Sequence, residues 1–169
     1  MDSRTKKVYL GKARHNLKNP VNAILGYSEM LIEDCEDEGL HSLVEDLGKL
    51  YFAGKDILTA IETNFSDQSL SLAKKKISDI GKQTELDIRT PLNTIIGYSE
   101  LIIEDNPNIR IETFHSDIQK IIDSGRNLEK ELSSIITFDV SSLTISKDNY
   151  STNKNVSLLE DVLKSIQPL

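Results

Sequence analysis

The chain has 169 residues, 28% charged and 38% hydrophobic, enough for one domain with a real core. Its net charge of −7 argues against nonspecific nucleic-acid binding. No apolar run approaches the roughly 20 residues that a bilayer crossing needs, no signal-peptide pattern is present, and a single cysteine, Cys35, excludes an internal disulfide; together these fit a reducing cytoplasm.

Apolar residues recur with a helical period almost throughout, so the chain reads as all-α. Leu17, Val21, Ile24, Ser28, Leu31 and Ile32 form one stripe of a long first helix. The acidic run from Asp34 to Gly39 breaks it, and places Cys35 in a loop with no redox role. A second stripe follows at Leu43, Leu47, Leu50, Gly54, Ile57, Ile61 and Phe65. Ser66 to Ser69 is too short for a free linker, and Ser69 or Ser71 can cap the next helix. Ile88, Leu92, Ile95, Ser99, Ile102 and Ile103 line the third helix, Asn106-Pro107-Asn108 makes a turn, and Phe114, Ile118, Ile121, Gly125, Leu128, Leu132 and Ile135 line the fourth. Residues 146–155 are polar and read as a linker, and 157–166 as a short final helix. Pro20 and Pro91 sit inside the first and third stripes, where a proline removes a backbone hydrogen bond and crowds the previous turn. A kink is expected there, the alternative being a helix that starts at each proline.

The first and third helices are near copies. His15-Asn-Leu-Lys-Asn-Pro-Val-Asn-Ala-Ile-Leu-Gly-Tyr-Ser-Glu29 aligns with Leu86-Asp-Ile-Arg-Thr-Pro-Leu-Asn-Thr-Ile-Ile-Gly-Tyr-Ser-Glu100, an offset of 71 residues. The same offset relates Asp46, Lys49 and Gly54 to Asp117, Lys120 and Gly125, so a whole helical hairpin is duplicated without a gap. Each hairpin has an apolar face that it cannot bury alone. The expected architecture is a single-chain antiparallel four-helix bundle of two tandem hairpins, 5–66 and 69–138, followed by a tail over 139–169.

His15 lies about 200° around the helix from Leu17 and should face solvent. Lys18, Asn19, Asn22, Gly26 and Glu29 share its polar face, and Gly26 leaves a gap that another molecule can approach. A solvated neutral imidazole is a competent nucleophile toward phosphorus. Leu86, at the matching position of the second copy, has no nucleophilic atom. His41 and His115 stand near the starts of second helices and read as surface residues. No His/Cys spacing suggests a metal site, and the acidic runs at 33–34 and 36–38 read as solvated charge.

The stretch His15-x-Leu-Lys-Asn-Pro-Val-Asn-x-Ile-x-Gly-Tyr-Ser-Glu-Met-Leu resembles the phosphoacceptor box of two-component histidine kinases, in their dimerization and histidine phosphotransfer (HisKA-type) domain. Residues 117–128 resemble the second helix of that domain, and the likeness covers roughly residues 5–138. The resemblance implies a helical hairpin that pairs into a four-helix bundle. It also implies that His15 is the phosphoacceptor and that Asn19 positions water for dephosphorylating a partner. Lys18, Asn22, Gly26 and Glu29 would meet that partner. The sequence departs from the pattern at Asn16, where a carboxylate is usual, and at Leu86, beside which Asp87 and Thr90 mark a degenerate second site. No glycine-rich ATP-binding boxes appear.

The expected function is therefore a cytoplasmic phosphorelay carrier, exchanging phosphoryl groups between His15 and the aspartates of response-regulator receiver domains. A histidine kinase ATPase domain acting in trans is a further candidate partner. The chain itself binds no cofactor, Mg²⁺ being expected on the receiver, and is a monomer that binds neither nucleic acid nor membrane. The alternatives are a noncatalytic scaffold bundle that binds a receiver or kinase, and a dimerization fragment of a larger signalling protein.

Overall fold

The computed structural model describes residues 3–66 and 76–138, and these form four helices. They are α1 (Ser3–Asp37), α2 (His41–Asn64), α3 (Ile77–Asp105) and α4 (Phe114–Ile136). The candidate caps Ser69 and Ser71, the polar segment 146–155 and the helix-like segment 157–166 lie outside the described residues. Each helix packs on two neighbours in the ring α1–α2–α3–α4, which is a four-helix bundle. The stripes supply its core: Leu17, Val21, Ile24 and Leu31 meet Leu47, Leu50, Ile57 and Ile61, with Ile88, Ile95, Ile118 and Ile121 opposite, all essentially without solvent exposure.

One boundary differs from the sequence reading, and one placement agrees with it. First, α1 runs through the acidic stretch to Asp37, so Cys35 is helical and fully buried rather than in a loop. It continues the stripe one turn after Leu31 and behaves as a small hydrophobe. Burial, followed by the nearby Asp34 charge, pushes its thiol up to about 11, which keeps it protonated and inert. The stop comes two residues later at Gly39, whose φ of 70° closes the helix while the Leu40 amide donates to Cys35 O at 2.8 Å. Second, Pro20 and Pro91 are interior to α1 and α3, which begin well upstream of them. Packing of the flanking stripe residues outweighs the lost backbone bond.

The duplication is visible as internal symmetry. Lys49 Nζ lies 5.0 Å from the Tyr98 ring centroid, and Lys120 Nζ lies 4.9 Å from that of Tyr27, so each contact maps onto the other by the 71-residue offset. Lys49 pairs with Asp46 and Lys120 with Asp117, both at 2.8 Å. A Cβ on Gly54 would meet Leu25, and one on Gly125 would meet Ile96, so both glycines let the two helices of a hairpin close up. This is the reciprocal pattern of a twofold interface, here within one chain. Because each hairpin already has its partner, light scattering is expected to return a monomer near 19.0 kDa. A stable dimer at low micromolar concentration would contradict it.

The symmetry also carries a defect. Ser28 and Ser99 are fully buried, and their hydroxyls have no hydrogen-bond partner among the described residues. A buried unsatisfied hydroxyl is destabilising, and alanine is the better helix former. Ser28→Ala and Ser99→Ala are each expected to stabilise the bundle by about 1 kcal/mol, read from urea denaturation. A loss of stability in either variant would mean that its hydroxyl is satisfied.

Candidate functional site

His15 lies in the fourth turn of α1 and is solvent-exposed, because the positions around it in the stripe, Ala13 and Leu17, take the inward direction. An open groove runs beside it between α1 and α2. Arg14, His15, Lys18, Asn19 and Asn22 form one wall, Glu62 of α2 the other, and Gly11 leaves the near end free of any side chain.

Two cross-helix bonds fix the cations of this groove. Lys18 Nζ lies 2.7 Å from Glu62 Oε1, and the Arg14 guanidinium donates to the Phe65 carbonyl at 3.2 Å. The second bond satisfies a carbonyl at the C-terminus of α2, where the helix dipole also favours positive charge. The hydrogen bond from Lys18, and then its charge, hold the Glu62 carboxyl below the usual glutamate range. The result is an accessible imidazole with a cation immediately before it and another one turn after it. Asn19 is exposed and also lines a second shallow groove, on the other flank of α1, together with Asn16, Pro20 and Ala23 and with Ser124, Asn127 and Glu131 of α4.

Of the residues read from the sequence, His15, Lys18, Asn19 and Asn22 come together in one groove. Gly26 and Glu29 do not line it. They are exposed on the same helix, roughly 16 and 21 Å farther along at 1.5 Å per residue. Sequence reasoning missed Arg14 and Glu62. Glu62 is 44 positions from Lys18, and only tertiary packing joins them. Its counterpart in the second copy is Ser133, but neighbouring pairs such as Ala60/Glu131 and Asn64/Ile135 differ as well, so the sequence does not single Glu62 out.

The second copy presents a different surface. Leu86, in place of the imidazole, is 60% exposed. Asp87 accepts hydrogen bonds from Asn64 at 2.8 Å and from Gln83 at 2.9 Å, which fix it at the α2–α3 seam. Thr90 is exposed, and its carbonyl accepts from the Thr94 hydroxyl at 3.1 Å. The remaining histidines have other settings. His41 is exposed in the first turn of α2, and the His115 ring nitrogen lies 2.9 Å from Asn106 O.

Among the described residues no group of three or more His, Cys, Asp or Glu side chains is placed to hold a metal, and no helix is long and apolar enough to cross a membrane. Comparisons with protein-family models, with curated proteins and with solved structures find no match to this chain.

Proposed function

We propose that this chain is a histidine phosphotransfer module of a two-component phosphorelay, working in the cytoplasm, in which His15 exchanges a phosphoryl group with receiver-domain aspartates. The observation that carries the reading is a solvent-open imidazole between Arg14 and Lys18, in a bundle whose second copy has lost the imidazole. A neutral imidazole nitrogen attacks the phosphorus of an aspartyl phosphate. The new N–P bond forms as the P–O bond breaks, and the aspartate leaves as a carboxylate. The imidazole supplies the nucleophile and the flanking cations offset the charge of the transferred group. The partner receiver contributes the other half of the site, including its Mg²⁺. Asn16, a side chain that cannot serve as a base, is no obstacle on this route, because the acceptor needs access more than activation.

The test is incubation of the full chain with a panel of phosphorylated receivers, followed by intact-mass measurement and site mapping. The expected product carries one acid-labile phosphate, on His15. A label at His41 or His115 instead would refute the assignment. If no receiver delivers phosphate but one binds stoichiometrically, the bundle is a scaffold. The exposed Leu86 is the observation that favours that second reading, since the fold persists there without the nucleophile.

A further inference from the structure

The Lys18–Glu62 pair is tied to the histidine rather than to the hairpin. The symmetric positions are Arg89 and Ser133, which cannot form an ion pair with each other because serine carries no charge, and there the acceptor position is Leu86. The second hairpin closes as tightly without it, with Gly125 against Ile96 as Gly54 lies against Leu25. Its own cross-helix pair, Arg126 with Glu100 at 3.1 Å, lies far along the bundle from Leu86. The first hairpin therefore does not need Glu62 in order to pack.

We propose that Glu62 is a placeholder for the phosphoryl group of His15: it holds Lys18 in the unphosphorylated chain, and phosphorylation moves Lys18 from the carboxylate to the phosphoryl oxygens. The proposal rests on the reading of His15 as a phosphoacceptor. Residues three apart on a helix are surface neighbours, about 5–6 Å between Cβ atoms, and His15 and Lys18 line one groove, so a long flexible lysine reaches either anion. Both partners of the ion pair are substantially exposed, at 34% and 54%, which makes the pair weak and cheap to exchange. A phosphoryl group carries more negative charge than a carboxylate and three acceptor oxygens. Exchange also removes one of the two cross-helix bonds of the groove and leaves the Arg14–Phe65 bond, so the phosphorylated state differs from the resting state in a named contact. Glu62 and Lys18 are positioning residues here, and neither takes the phosphoryl group covalently.

The experiment uses the full chain and phosphoramidate, which phosphorylates imidazoles without a receiver. The imidazole nitrogen of His15 attacks phosphorus, the N–P bond of the reagent breaks, and ammonia departs. His41, exposed at the opposite end of α2, is the internal reference. Lys18→Gln is expected to slow labelling of His15 relative to His41, and to shorten the lifetime of the phosphohistidine, by about three- to tenfold. Lys18→Arg should restore both. Glu62→Gln should act in the opposite direction and speed labelling by about threefold, because Lys18 no longer has to leave a carboxylate. Thermal unfolding of each variant establishes that the bundle is intact. The sign is decisive: a pair that merely braces α1 against α2 is broken equally from either side, so both variants would move His15 the same way, and that result, or no change in either, overturns the proposal. A His15 that takes no phosphate from phosphoramidate overturns it too. A His15 that labels with these opposite signs, while no receiver delivers phosphate, supports the exchange and refutes the receiver reading alone.

Discussion

With a phosphorylated receiver as the donor, Leu86→His is expected to raise the number of phosphates the chain accepts from one to two, and His15→Gln to reduce it to none. Leu86 is 60% exposed, so exchanging it for histidine buries nothing and leaves no cavity. The backbone that would present the new imidazole is the symmetric copy of the one that presents His15, with Pro91, Asn93 and Gly97 matching Pro20, Asn22 and Gly26. The surroundings differ, however. Glu85 and Arg89 replace Arg14 and Lys18, so one of the two flanking cations becomes an acid. Labelling at residue 86 should therefore be slower than at His15, and intact-mass time courses of wild type, each variant and the double variant would resolve it. If Leu86→His accepts no phosphate while His15 in the same molecule does, the backbone frame is insufficient and the groove charges dominate.

Leu47→Ala is expected to cost about 2–5 kcal/mol, the range for truncating a fully buried leucine. Leu47 has no solvent exposure and belongs to the hydrophobic core. With a urea dependence of about 1–3 kcal/mol per molar, the unfolding midpoint should fall by at least roughly 0.7 M. Phe52→Ala is the control: it sits on the same helix but is 69% exposed, and should change stability by less than about 0.5 kcal/mol. Equal effects at the two positions would contradict the placement of the stripe.

The helical period revealed the core because burial is a local matter of phase. Leu47, Ile57 and Ile118 are inward for the same reason that Phe52 is outward, their angle around a helix. The repeat gave the architecture, since an unpaired apolar face on each hairpin leaves few ways to close. The termini were less legible. Cys35 looked like part of an acidic loop because charged neighbours obscured one more turn of the stripe, and the beginning of α3 at Ile77 carries no capping side chain to announce it. At the site, the residues of α1 could be grouped by spacing, and four of them do share a groove. Arg14 and Glu62 could not be grouped this way, because their roles come from the end of α2, which reaches His15 only after the hairpin has closed.

The internal twofold has a consequence in simple arithmetic. A bundle assembled from two identical chains holds every side chain an even number of times, so any change in it is made twice. Joining the hairpins in one chain lifts that parity rule. The contacts that shape the bundle, such as Lys49 on Tyr98 and Lys120 on Tyr27, remain in duplicate. The imidazole at the acceptor position is present once, and each flank of the bundle is free to vary alone.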